Sequence, residues 1–325
     1  MSRAMRARAL LRASARVVAL LALASVAPSM ARAQRVHVLA IAGLSGEPAY
    51  KVAFESATSA LVDSARARWR VSDSSLFVLA EDTTSPRLHV RGRSTREEIA
   101  KAFVQLSRQV SPGDVVVVFL VGHGSGEGAE SRVSLPGPDA TAADFAGWLS
   151  GFAKETVVFV NAASGSGDFL AALAGPRRVI VTATRTALER NASQFAAPFV
   201  RGLTSDEGDA DKDGRVSVME AFAYARAQVA KAYESDNRML TEHASISDSV
   251  LAGTVRFAAA RNAVAADPRA ATLVSERQEL EAQVATLRAK KDTMPAAAYE
   301  AELERLLVLV AEKTQAINAL AGAKP

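Results

Sequence analysis

The sequence predicts an α/β fold, with a mostly parallel central sheet flanked by helices and a C-terminal helical hairpin. Three observations carry this reading. Residues 115–121 hold four consecutive valines, then Phe119 and Leu120, and are apolar throughout, as a strand covered on both faces must be. Residues 156–160 repeat the pattern. From residue 35 to about 260, such runs alternate with stretches of helical spacing, which implies parallel strands joined by right-handed crossovers.

Taken in order, residues 36–41 form the first strand, and Gly43, Gly46 and Pro48 a loop at its end. Residues 52–69 have helical spacing through Phe54, Ala57, Ala60, Leu61 and Ala65. Residues 76–80 read as a second strand. Residues 95–110 read as a helix with Ser94 or Thr95 as its cap and Glu97 and Glu98 favourable in its first turn. Pro112-Gly113 turns the chain into the 115–121 strand, which stops at Gly122-His123-Gly124 and so delivers an imidazole to the carboxyl edge where open α/β sheets build their sites. A short helix over 142–149 leads to the 156–160 strand, which ends in Asn161-Ala-Ala-Ser-Gly-Ser-Gly167. A helix over 168–174, a strand over 179–182 and a helix over 194–203 follow. Residues 268–322 differ in kind. Leu273, Leu280, Val284 and Leu287 make one apolar stripe, and Tyr299, Leu303, Leu306, Val310, Ile317 and Leu320 another, with a turn at 291–295 between them. This hairpin can dock on the main domain or mediate self-association.

Residues 1–33 are read as a signal peptide rather than fold. Arg3, Arg6, Arg8, Arg12 and Arg16 precede an apolar run over 17–24, and Ala31-Arg32-Ala33 offers small residues for cleavage before Gln34. The expectation is a secreted or periplasmic protein with no membrane span after cleavage; a retained anchor is the alternative, although the run is short for a bilayer. The leader holds six arginines and no acids, so its removal takes 39 basic side chains to 33, against 35 acidic ones. The high overall isoelectric point therefore gives no support for nucleic-acid binding. Cysteine is absent, which excludes disulfides, thiolate metal sites and a cysteine nucleophile.

The order of strands, His123-Gly124 after one of them, and Ser166-Gly167 with Phe169 after the next, resemble the caspase-like peptidases, nearest the legumain-type and bacterial caspase-like members. Residues 181–185 are similar to the segment after the family's next strand. The resemblance spans roughly residues 34–260 and implies a caspase-like fold and peptide-bond chemistry. Matching at Ser166-Gly167 places Ser164 where the family has its cysteine. Matching the strand end instead places Ala163 there and puts Asn161 two residues before it. In either register the thiol is gone. A serine hydroxyl needs an aligned base, and usually a third group holding that base, where a thiol needs little help. Asp168 or Asp139 is a candidate for holding His123. Three readings follow: a catalytically impaired peptidase fold that binds a peptide or protein chain at the sheet edge; a Ser164/His123 hydrolase with the Gly124 and Ser164 amides as oxyanion donors; or a satisfied loop histidine beside a serine-rich helix cap.

The most specific motif is the acidic stretch 209–220. Asp209, Asp211 and Asp213 fall at positions 1, 3 and 5 of an EF-hand-type loop, Gly214 at 6, the Arg215 carbonyl at 7, Ser217 at 9 and Glu220 at 12. Oxygen donors in this arrangement suit Ca²⁺. Val216 at position 8 pins the loop to a neighbour. An Asx-rich turn capping the helix over 217–234 is the alternative. Of the remaining histidines, His37 is expected at the core edge, His89 in solvent, and His243 in a loop near the site; their spacing does not suit zinc.

Overall fold

The structure is a computed structural model that describes residues 35–258, 268–289, 291 and 294–322. The expected leader and part of the expected 291–295 turn lie outside the described residues. The strands are β1 (Val36–Ala42), β2 (Leu76–Ala80), β3 (Gly92–Arg93), β4 (Val115–Val121), β5 (Gly124–Ser125), β6 (Arg132–Val133), β7 (Ala140–Thr141), β8 (Thr156–Asn161), β9 (Arg178–Thr182), β10 (Arg215–Ser217), β11 (Ser245–Ile246) and β12 (Arg256–Ala258). The helices are α1 (Pro48–Ala67), α2 (Arg96–Ser107), α3 (Ala142–Leu149), α4 (Phe169–Leu173), α5 (Ala196–Thr204), α6 (Val218–Ser235), α7 (Ser249–Thr254), α8 (Pro268–Ala289) and α9 (Ala296–Gly322).

A seven-stranded sheet in the order β11-β9-β8-β4-β1-β2-β3 forms the centre, parallel except for the antiparallel edge strand β11. Its residues alternate between two apolar layers. Val38, Ala40, Val117 and Phe119 meet α1, α5 and α6 on one face through Phe54, Leu61, Phe199 and Phe222. Leu39, Ile41, Val116 and Val118 meet α2, α3 and α4 on the other through Phe103, Phe145 and Phe169. Both layers are apolar and buried, and β1 and β4 accordingly carry almost no polar side chain. The exception is His37 in β1, buried to 1% exposure and bonded through Nε2 to Asp114 Oδ2 at 3.2 Å.

Several boundaries differ from expectation for local reasons. Helix α1 starts at Pro48, four residues before the apolar spacing begins, because proline is preorganised for the first helical turn. It ends at Ala67, so Trp69 lies beyond it and packs on Phe257 at 4.4 Å between ring centroids. Helix α2 ends at Ser107 rather than 110, and Thr95, not Ser94, caps it by accepting from the Glu98 N–H.

The chain order reverses direction across the sheet at β1, which has β2 on one side and β4 on the other. Crevices at such switch points, at the carboxyl ends of the strands, are where open α/β sheets bind ligands. The loops after β1, β4 and β8 all end there.

The hairpin helices α8 and α9 pack on one another. Val284, Leu287 and Leu306 form one apolar cluster with Leu280, Met294, Tyr299 and Leu303, and Ile317 forms a second with Leu273, Val274 and Leu320. Among the described residues, neither cluster includes a side chain from 35–258. No helix among the described residues is long and apolar enough to cross a membrane.

Candidate functional site

Strands β4 and β8 pair in parallel from Val115 against Thr156 to Leu120 against Asn161, so His123 and Ser164 leave adjacent central strands at the same edge. The Gly124 N–H donates to Ser164 Oγ at 3.3 Å. Gly124 has to be glycine, because a Cβ there would lie 2.3 Å from the Ser164 carbonyl oxygen. It is Ser164, not Ala163, whose side chain meets this amide. Ala163 is fully buried, and its N–H is taken by Asn161 Oδ1 at 3.1 Å. Ser166 is structural: its hydroxyl accepts from the Ala183 and Thr184 amides at 3.1 and 3.3 Å, tying the turn after β8 to the end of β9.

The His123 backbone is fixed by the Ser134 N–H, which donates to its carbonyl at 2.8 Å. Its ring lies against Tyr50 and Phe54, with centroids 4.7 and 5.3 Å away. Nε2 donates to the Ser45 carbonyl at 3.2 Å. A carbonyl only accepts, so in the neutral ring the proton sits on Nε2 and Nδ1 keeps the basic lone pair. Ser45 is itself held by Glu81, just past β2, which accepts from the Ser45 N–H at 3.1 Å and from its hydroxyl. Neither acid expected to hold the histidine does so. Asp168 accepts from the Gly128 N–H, joining the loop after β5 to the start of α4, and Asp139 accepts from the Leu135 N–H within its own loop. Among the described residues no hydrogen bond joins His123 to Ser164, whose side chain is buried to 3% exposure. The chemistry available is thus a tautomer-fixed imidazole and a buried hydroxyl at one sheet edge, without a proton relay between them.

His243 does reach this edge. Its N–H and Nδ1 both engage the Glu189 carboxylate, at 2.9 and 3.0 Å, and the Glu189 carbonyl accepts from the Gly165 N–H at 2.9 Å. A cavity of about 360 Å³ opens beside it, lined by Phe195, Arg226, Leu240, Glu242 and His243. His89 is exposed, as expected.

The acidic loop lies between α5 and α6. One carboxylate oxygen from each of Asp209, Asp211 and Asp213 lies within 4.8 Å of the others. Gly214 takes φ +82°, the left-handed turn that position 6 requires. Asp209 accepts from the Asp213 and Gly214 amides at 3.1 and 2.9 Å. Glu220 and Ser217 form a capping box that starts α6. Val216 is fully buried and pairs antiparallel with Phe257 through β10 and β12. Burial, reinforced by the neighbouring Asp213, Asp211 and Glu220 charges, pushes Asp209 up to about 7. Asp213 and Glu220 are also raised, chiefly by burial. The Asp209, Asp211 and Asp213 carboxylates are oxygen donors that could hold a metal ion.

Two cationic side chains reach the same carboxylates. Arg277, from α8, places Nη1 2.6 Å from Asp211 Oδ2 and Nη2 2.6 Å from Asp213 Oδ2, and Arg256 places Nη1 3.1 Å from Asp213 Oδ2. The Arg277 side chain is fully buried. Sequence reasoning missed it, although a signal was present. Leu273, Arg277, Leu280, Val284 and Leu287 follow the 4-3-4-3 spacing of a helical seam, with a charge at one seam position.

No protein-family model matches the chain, and no curated protein matches it.

Proposed function

We propose that the chain is an exported protein of caspase-like peptidase fold, catalytically impaired because the cysteine nucleophile is missing, which binds a peptide or protein chain at the carboxyl edge of its sheet and carries a calcium-type loop as a structural element. The observation that carries this is the Ser164 hydroxyl. It stands beside the amide of Gly124, where a nucleophile in this constellation belongs, but it is buried and out of hydrogen-bond contact with His123. A serine in that state has nothing to take its proton as it attacks. A thiolate would need no such partner in the attacking step. Support for the family reading comes from the adjacency of β4 and β8 and from the imidazole held by a backbone carbonyl.

The test is turnover of a broad peptide library by the purified mature chain and by Ser164→Cys. No product from the wild type and measurable product from Ser164→Cys are expected. Wild-type hydrolysis that disappears in His123→Ala would replace this reading with a Ser164/His123 hydrolase. A silent Ser164→Cys would show that the missing thiol is not what impairs the site.

A further inference from the structure

We infer that the acidic loop 209–220 is the socket that holds the C-terminal hairpin on the core, and that a divalent cation and the Arg277 guanidinium exclude each other there, so that metal binding releases the hairpin. This rests on the calcium-type reading of the loop and adds its regulation.

The hairpin has little apolar hold on the core. Both of its apolar clusters are built from its own side chains. Where α8 and α9 face α7, a cavity of about 230 Å³ remains, lined by Val250, Gly253 and Thr254 on one side and Val284, Leu307 and Val310 on the other. Ion pairs cross this junction. Arg277 spans Asp211 and Asp213 at 2.6 Å each, and Arg256 spans Asp213 and Glu281 at 3.1 and 2.6 Å. Within α8, Glu281 also lies 3.4 Å from Arg277 Nε.

The Arg277 contact has a specific form. Its Nη1 is buried and within ion-pair distance of Asp211, yet makes no aligned hydrogen bond, and its Nε is likewise without one. Nη2 does donate a hydrogen bond to Asp213 Oδ2 at 2.6 Å, so it is toward Asp211 that the guanidinium acts mainly as charge. The oxygens it neutralises, on Asp211 and Asp213, belong to positions 3 and 5 of the loop, which a cation would also need. A divalent ion delivered to these carboxylates would sit against a like charge. A fully buried guanidinium that loses Asp211 and Asp213 keeps only Glu281, 3.4 Å from its Nε, and is costly to hold in place. It can only leave with the helix that carries it. Among the described residues, neither apolar cluster of the hairpin adds a hold on the core.

The experiment uses the full mature chain, stripped of metal, and its Arg277→Met variant, which keeps the apolar stem and a helix-forming side chain. Calcium binding is followed by calorimetry, and amide exchange across Pro268–Ala289 is followed with and without about 1 mM calcium, the range of extracellular calcium modules. Removing the internal competitor is expected to tighten calcium binding about tenfold or more, since apparent affinity scales with the population of the open socket. Calcium is expected to accelerate exchange in α8 of the wild type, while in Arg277→Met exchange is fast from the start. Equal affinities, or wild-type exchange that calcium leaves unchanged or slows, would overturn the exclusion while leaving the metal loop standing. Absence of calcium binding in both proteins would overturn the loop reading and the exclusion together. Should Arg277→Met fail to fold, the wild-type exchange comparison decides alone.

Discussion

His37 is the one polar side chain in the apolar interior of β1, and its environment makes it a pH-sensitive point of the fold. Its ring is 1% exposed, with Nε2 on Asp114 and Nδ1 buried without a hydrogen-bond partner. Burial pushes its pKa down; the Asp114 carboxylate opposes this without overcoming it, and Arg35, also on Asp114, adds to the depression. The folded pKa thus lies below the unfolded value of about 6.5. The unfolded chain then takes up the proton more readily, and the contribution of a neutral His37 to stability is lost as pH falls from about 6.5. Asp114 itself is depressed despite its burial, because amides of Ser111 and Arg35 bond to it, so it stays ionised through that window. The expected result is a melting temperature that drops between neutral pH and about pH 5.5, and a shallower drop in His37→Gln. Parallel pH profiles for the two proteins would mean that His37 is not the sensor.

At the scale of elements, the hairpin is the clearest case of pattern dictating structure. Leu306 is 2% exposed and packs on Val284 and Leu287, positions fixed by the helical spacing of the sequence. Leu306→Ala is expected to cost the hairpin about 2–5 kcal/mol of its packing. Because the cluster contains no core side chain, exchange should rise across Ala296–Gly322 while the melting of the core stays put. A matching loss in the core transition would show that the two are one cooperative unit. The same physics explains what was legible in the sequence. Strands β1, β2, β4, β8 and β9 are buried on both faces, so each reads as an unbroken apolar run and its ends are visible to within about a residue. Two-residue strands such as β5, β6 and β7 carry no periodicity, because their pairing is imposed by the neighbours they meet. At the candidate site, His123 and Ser164 were legible because each follows a strand directly. Ser45 and Glu81 were not, because what holds His123 is a backbone carbonyl contributed by a different strand end. Arg277 was not singled out, because a lone charge interrupts the apolar stripe that its seam position otherwise continues.

Across the described residues, two apolar systems of unequal strength are joined by charge. The sheet core is sandwiched between two helical layers, and many of its side chains, among them Phe119, Phe145, Phe159 and Phe199, are at most 1% exposed. Burying each such ring contributes about 1.5–3 kcal/mol, before the ordering entropy is subtracted. Among the described residues the hairpin has two narrow clusters, and guanidinium–carboxylate pairs whose desolvation cost offsets much of their attraction join it to the core. Stability should accordingly be layered, with the hairpin opening in a sub-global step well below the free energy of global unfolding. In native-state exchange under calcium-free conditions, amides of β1, β4 and β8 should exchange only through global unfolding. Amides of α8 and α9 should exchange through a smaller opening with a shallower dependence on denaturant, since less surface is exposed. If both regions converge on one free energy and one denaturant slope, the hairpin is an integral part of the core. A junction made of charge could then not act as a release point, because separating it would unfold the domain that the site at the sheet edge depends on.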